Sequence, residues 1–266
     1  VKTLTYLSLG AGVQSSALYI LSAQGKAPKA DVAIFADTQD EPQYVYEQLG
    51  RLMSWGAVHG GAPVKIVSKG RLSELQLTTT RSFVPMFVDN DGRRGFLRRK
   101  CTREFKVEPI EKEVRAQLGF GRGQRVQGRA TATGMIGISR DEIQRMKPAR
   151  MAWIEHIFPL VDLGMRRADC SRVVEEAGLP TPLKSACVFC PFKDTASWMW
   201  LRREHPEEFE KACQFDEAIR DGSRHGIRHK AFLHSSLKPL RQVDLVDRQG
   251  DLFDGFQNEC EGMCGV

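Results

Sequence analysis

The sequence predicts an α/β fold: a doubly wound, mostly parallel sheet followed by a helical, cysteine-bearing C-terminal extension. Three observations carry this. Short apolar runs alternate with amphipathic stretches through the first part of the chain, the pattern of strands with crossover helices. A Gly-rich turn, Ser8-Leu9-Gly10-Ala11-Gly12, joins the first apolar run to the first helical stretch. Beyond Cys190 the alternation stops and helical patterns continue through Ile219.

Taken in order, Leu4 to Leu9 reads as a strand and Ser15 to Leu21 as a helix, stopped at Gly25-Lys26. Val32 to Ala36 is a second buried strand. A helix follows from Pro42 to Trp55, with Tyr46, Leu49 and Leu52 on one face; proline suits a first helical turn, where its missing N–H would be unpaired anyway. Val64 to Val67 is the third strand. From Arg81 to Arg103 the pattern breaks into a basic loop, with Asp91-Gly92 as a turn signal. Glu108 to Leu118 is helical and 119–128 a Gly/Arg-rich loop. Met135 to Ser139 and Ile157 to Leu160 read as strands four and five, and Met165 to Ala177 as a helix stopped by Gly178 and Pro180. The expected division is an α/β nucleotide-binding domain over 1–180 and a helical, cysteine-rich extension over 181–266, packed on it.

Composition narrows the function class. Of the 266 residues, 41% are hydrophobic and 27% charged, which suits neither a disordered tail nor a membrane protein. No apolar run approaches the ~18 residues of a spanning helix, so a soluble, cytoplasmic protein without membrane partners is expected. Lys and Arg number 39 against 33 Asp and Glu, a net charge of +6 that favours phosphate-bearing ligands or nucleic acid. Seven cysteines without a secretory signal point to metal or redox chemistry rather than a disulfide frame.

The loop from Ser8 to Ser16 lies where a helix start would offer unpaired N–H groups and a positive dipole end to an anion. Gly10 and Gly12 allow close backbone approach, and Ser8, Ser15 and Ser16 add hydroxyls. It is neither a Walker loop nor the GxGxxG of dinucleotide folds, and alone it reads equally as an ordinary strand–helix turn. Asp37-Thr38 ends the second strand, where ligands sit in open α/β sheets, although a helix-capping pair looks the same. Around Cys101, the cations Arg98, Arg99, Lys100, Arg103 and Lys106 are expected to lower the thiol pKa and favour thiolate. Cys187-Val188-Phe189-Cys190 and Cys260-Glu261-Gly262-Met263-Cys264 are two close pairs. They are consistent with a tetrahedral zinc site, with iron–sulfur ligation, or with a redox pair. Cys170 and Cys213 lie in helical patterns and read as small buried apolar residues. Trp198, Trp200 and the cations from Arg224 to Lys230 read either as a nucleic-acid face or as a solvated helix with core tryptophans.

These segments, in this order, resemble the phosphoadenosine phosphosulfate (PAPS) reductase family of the PP-loop adenine nucleotide α-hydrolase superfamily. The Ser8 to Ser16 loop resembles the PP-loop, with Leu9 in place of its first glycine. Cys101 to Ile110, with Lys106-Val107-Glu108-Pro109, resembles the Cys…Lys-Val-x-Pro segment, and Gly137 to Glu142 resembles the substrate-binding Gly-x-Arg-x-x-Glu, with Arg140 displaced by one position. Glu259-Cys260 resembles the Glu-Cys-Gly ending of the reductases. The resemblance implies a PP-loop fold binding an adenine nucleotide through Ser8, Gly10, Gly12, Ser15, Ser16, Asp37, Thr38, Gly137 and Arg140. It implies Lys106 on phosphate or sulfate, and a [4Fe–4S] cluster on Cys101, Cys187 and Cys190, with Cys260 or Cys264 as fourth ligand or as catalytic thiols.

The implied activity is ATP-dependent sulfur transfer of the ATP pyrophosphatase type, using ATP with Mg²⁺. Its acceptor would be a nucleobase, nucleotide or nucleic acid, and its sulfur donor a cysteine desulfurase or sulfide; a homodimer is compatible. The alternative is a PAPS or adenylylsulfate reductase releasing sulfite. A zinc-stabilised nucleic-acid-binding module is the non-enzymatic reading.

Overall fold

The computed structural model of the chain describes residues 1–245. Its main sheet has five parallel strands in the order β3-β2-β1-β6-β7: β1 (Lys2–Ser8), β2 (Val32–Asp37), β3 (Val64–Ser68), β6 (Ala130–Ile136) and β7 (Ile154–Ile157). The helices between them are α1 (Val13–Ala23), α2 (Gln43–His59), α3 (Leu72–Thr78) and α4 (Glu108–Gln117). Successive residues of β1 feed opposite faces, as strand alternation requires. Leu7 packs in a core with Leu18 of α1 and Leu52 of α2, while Tyr6 packs in another with Ile110 and Val114 of α4. The sheet is therefore covered on both sides, which is the doubly wound α/β arrangement.

Strand order makes one place special. From β1 the chain winds through β2 and β3 to one edge, then returns to lay β6 on the other side of β1. At such a switch the loops leaving two adjacent strands diverge and open a crevice beyond their carboxyl ends. Here those are the loops after Ser8 and Ile136.

Three boundaries differ from the sequence reading. The fourth strand runs over Ala130–Ile136, starting five residues before Met135, because alternating Ala and Thr pair along all of β1. The fifth is Ile154–Ile157, and Pro159–Asp162 forms a helical turn, α5, with proline in its first turn. The basic stretch 81–103 is not all loop. Phe87–Asn90 (β4) and Arg93–Phe96 (β5) make a hairpin whose turn, Asp91-Gly92, has the left-handed backbone (φ 52° and 81°) that a two-residue connection needs. A π-helical segment, Thr102–Val107, then leads into α4.

The C-terminal part continues through α6 (Arg167–Glu176), α7 (Thr195–Glu204), α8 (Pro206–Ala218) and β8 (Ala231–Phe232). β8 pairs with β4, so the second sheet reads β5-β4-β8 and joins segments far apart in sequence. Below it lies a core of Met86, Phe105, Trp198, Phe215 and Leu240, drawn from both sides of residue 180. Asp216, fully buried on α8, ties this region together. It accepts the N–H groups of Leu233 (2.7 Å) and Leu240 (2.9 Å) and pairs with Arg220. Cys170 and Cys213 are buried in the cores, as expected. Among the described residues no helix is long and apolar enough to cross a membrane.

Candidate functional site

Helix α1 starts in the crevice. Gly12, in extended conformation, caps it without a side-chain bond. Ser15 braces the loop, its hydroxyl accepting the Gly10 N–H (3.2 Å) and donating to the Gly12 carbonyl (3.3 Å). Leu9 N–H binds the Ile34 carbonyl at 2.9 Å, fixing the loop to β2. Ala11 takes a left-handed backbone (φ 53°), an uncommon state for a residue with a Cβ. Ser8 and Ser16 lie fully buried beneath the loop, their hydroxyls unpartnered. Gly137, just past β6, fits because it lacks a side chain: a Cβ there would stand 2.8 Å from the Ser15 backbone nitrogen.

Above this floor is a cleft of about 350 Å³, within the range of small-ligand sites. Its floor is the start of α1, with Gly137 and Ile138. Its roof is the 183–186 segment, held by the Tyr44 hydroxyl donating to the Lys184 carbonyl at 2.8 Å. Four cations reach it: Arg145, Arg167, Lys184 and Lys193. Arg145 pairs with Glu142, and Arg167 donates to the Gln14 side chain at 3.3 Å. Asp141 accepts from Ser139 and from the Arg167 backbone, so the turn after β6 positions α6 and its arginine. Burial holds the Lys193 ammonium below its ordinary pKa, with the Lys184 charge acting in the same direction. Trp200 and Phe192 give the cleft an aromatic side. A helix N-terminus, four cations and a flat apolar wall suit a phosphorylated ligand with an aromatic base.

A second cavity adjoins it. Cys101, Cys187 and Cys190 all line it, with Thr38, Lys106 and Arg99, and each thiol is free. Cys190 and Phe192 line both cavities, so one thiol stands in the shared wall. The Cys187–Cys190 turn is closed by Cys190 N–H to Cys187 carbonyl (3.0 Å) and is tied to the loop after β2 through Val188 N–H to Asp40 carbonyl (2.8 Å). Lys106 forms a 3.0 Å ion pair with Glu41, whose carboxylate is almost wholly buried. Thr38 hydroxyl donates to that carboxylate (3.2 Å) and lies 3.3 Å from the Cys187 sulfur. Burial alone would pull Lys106 down, but the Glu41 charge, with the hydrogen bond to it, holds its ammonium above the ordinary lysine range.

The expected thiolate at Cys101 is reversed. Burial pushes this thiol up to about 11, with Cys190 adding to it, and the cations Arg99 and Lys106 only partly oppose the shift. Burial likewise holds Cys187 well above a free thiol, followed by the Glu41 charge. Neutral thiols result, and a metal would have to displace their protons. Three thiols on one largely apolar cavity are the donor type used by zinc and iron–sulfur centres. Yet among the described residues no three His, Cys, Asp or Glu side chains converge to hold a metal, and the cavity is about 30 Å³, space for one ion or a water. A four-iron cluster does not fit unless these walls part.

The remaining sequence expectations fall as follows. Lys106 faces the thiol cavity rather than the cleft, drawn there by Glu41. Asp37 serves its own loop, accepting the Gln39 N–H (2.7 Å) and the Tyr46 hydroxyl (2.8 Å), and Thr38 belongs to the thiol cavity. Arg140 is exposed at the start of its turn; Arg145, five residues on at the end of the same segment, reaches the cleft. Cys260 and Cys264 lie outside the described residues. Sequence reading missed Glu41, just after Asp37-Thr38, and Lys184 and Lys193, which flank the Cys187–Cys190 pair: attention went to the motifs and not to the single charges beside them.

The chain is similar to a solved reductase. That structure is a phosphoadenylyl-sulfate (PAPS) reductase from Candida auris in a phosphate complex, at 14% identity and a TM-score of 0.40, over 68% of this chain and 74% of that one. No protein-family profile matches the chain, and no curated protein matches it.

Proposed function

We infer that the chain is an adenylating sulfur-transfer enzyme of the PP-loop type. The observation that carries this reading is Cys190 in the wall between a cation-lined cleft and a three-thiol cavity. ATP with Mg²⁺ occupies the cleft, its phosphates on the α1 N-terminus, Arg145, Arg167 and Lys193 and its base on the aromatic side. These fixed donors favour the charge that develops at phosphorus. An acceptor oxygen attacks the α-phosphorus, forming a P–O bond and expelling pyrophosphate. Sulfur then attacks the activated acceptor carbon, and AMP leaves with the oxygen. With hydrosulfide as donor no electrons change hands. With a persulfide placed on Cys190 by a cysteine desulfurase, the first product is a mixed disulfide. Attack by Cys187 or Cys101 on the Cys190 sulfur then frees the acceptor thiol and leaves a protein disulfide for an external dithiol to reduce.

Anaerobically purified protein is expected to release pyrophosphate from ATP, more so with an acceptor pool present, and Cys190→Ser is expected to keep pyrophosphate release while losing acceptor thiolation. Sulfite release from PAPS with a dithiol, and no pyrophosphate from ATP, would replace this reading with a sulfonucleotide reductase. Metal without either activity would leave a binding module.

A further inference from the structure

The β4–β5 hairpin carries a feature that nucleotide chemistry does not use. Along β5 and the residues after it, alternate side chains face water: Arg94, Phe96, Arg98 and Lys100 are exposed, while the intervening Gly95, Leu97 and Arg99 are half-buried. Leu97 packs on the second core. Among the described residues β5 is the outer strand of its sheet, so this row stands at an edge. Side chains two apart on a strand repeat every ~6.7 Å and share one face.

Phe96 is 43% exposed, an unusual place for a phenylalanine between arginines. Its ring lies 4.8 Å from that of Phe87, its registered partner on β4, and 5.5 Å edge-on from Phe192. Across β4, Phe232 of β8 lies in register with Phe87 but is buried, with the Arg220 guanidinium 3.9 Å over its ring, so the accessible part of the row is on β5. Lys230, also exposed, adds a cation where its carbonyl accepts the Asp89 N–H. The acids nearby are Asp91 in the turn, Asp89, opposite Arg94, whose carboxylate accepts the Gly92 N–H at 2.8 Å, and Asp221, bridged to Lys230. Cations outnumber them along the row. Phe192, at the inner end, carries the Arg99 guanidinium 5.3 Å over its ring and lines both the cleft and the thiol cavity. The exposed row therefore leads to the site.

We propose that the exposed row along β5 and the residues after it binds single-stranded nucleic acid, stacking a base on Phe96, pairing phosphates with Arg94, Arg98 and Lys100, and leading the strand to the cleft. Cations alternating with an aromatic on a sheet are what an unpaired strand fits, because every base has a flat face to stack and each nucleotide brings a phosphate. A duplex keeps its bases stacked inside and offers Phe96 nothing. The proposal rests on the reading above for the strand's role as acceptor, but binding itself needs no turnover.

The test is fluorescence anisotropy without nucleotide, titrating full-length protein into labelled oligothymidylate and oligouridylate of about a dozen nucleotides. A duplex of the same length is the competitor. Tighter binding to the single strands than to the duplex is expected. Phe96→Ala should weaken it by about tenfold, and the Arg94→Ala/Arg98→Ala pair should flatten the log–log salt slope by about 1.4, two phosphate contacts at ~0.7 each. Arg98→Glu, at an exposed position outside any core, tests the same face should Phe96→Ala fail to fold. Equal affinity in Arg98→Glu and wild type, preference for duplex, or no binding at about 50 mM salt would each overturn the proposal. Loss of pyrophosphate release with strand binding intact would instead strike only the catalytic reading.

Discussion

Lys106→Met removes one partner of a buried ion pair. Glu41 would keep its charge with only 2% of its side chain exposed, and its second carboxylate oxygen already has no partner. Breaking a buried pair from one side costs about 3–5 kcal/mol, because the remaining charge has lost its water and its counter-charge. A domain is stable by only about 5–15 kcal/mol, and at this size each kcal/mol moves Tm by about 2–4 °C. A fall of about 6–20 °C is expected by calorimetry. In the Lys106→Met/Glu41→Gln double variant the orphan charge is gone and the Thr38 hydroxyl still has an acceptor. Most of the loss should return, giving a coupling of at least about 2 kcal/mol. The sign with pH follows from the raised Lys106 pKa. Its contribution is fully present below the ordinary lysine range and is lost only as pH climbs above it, so the Tm gap should stay constant between about pH 6 and 9. A Lys106→Met protein melting within about 2 °C of wild type, or a double variant less stable than the single, would refute the reasoning.

Gly137→Ala places a Cβ 2.8 Å from the Ser15 backbone nitrogen, which cannot rotate away, so α1 must shift. ATP affinity by calorimetry should fall at least about tenfold, or 1.4 kcal/mol; unchanged affinity would remove this contact from the site. Asp216→Ala strips the acceptor from two buried N–H groups and the partner from Arg220, and urea unfolding should show a loss of about 3–5 kcal/mol. Asp216→Asn, which keeps an acceptor, should cost less, and equal losses would mean the N–H contacts contribute little. Burial lowers the pKa of His156 and of His234, so both stay neutral in the fold where the unfolded chain would protonate. Stability is then fully present above about pH 6.5 and declines as pH falls below it. Urea midpoints across that range should drop, and the His156→Gln/His234→Gln variant should flatten the curve.

Much of the fold was legible because periodicity reports burial. β2 is a continuous apolar run, as a central strand covered on both faces must be, the edge strand β3 shows only a shorter and more exposed one, and α2 shows its apolar stripe. β5 was not legible. Arg93-Arg94-Gly95-Phe96 has the charges of a solvated loop, and an edge strand is where such charges belong. The misplaced fifth strand has a similar cause: Ile157-Phe158-Pro159-Leu160 is one apolar run, but Pro159 starts a helical turn within it. Residue chemistry also misled at Cys101. Counting neighbouring cations foretold a thiolate, whereas the balance turns on burial, which sequence does not display.

The cleft shows why a site can be half visible. Its backbone half, the glycines of the two loops flanking the β1/β6 switch, is local and readable. Its electrostatic half comes from four cations on separate segments, two of them flanking the cysteine pair and distant in sequence from the phosphate loop. Sequence alone could offer the thiols and the phosphate loop only as separate motifs joined by resemblance. Folding puts Cys190 where the two meet, because the turn from Cys187 is tied by Val188 to the loop that follows β2 and so cannot leave the sheet's carboxyl edge. If that tie sets the position of the thiol, lengthening the Cys187–Cys190 turn by one glycine should uncouple the two cavities. ATP-dependent pyrophosphate release would then persist while acceptor thiolation is lost, and retention of both activities would show that Cys190 does not need its place in the wall.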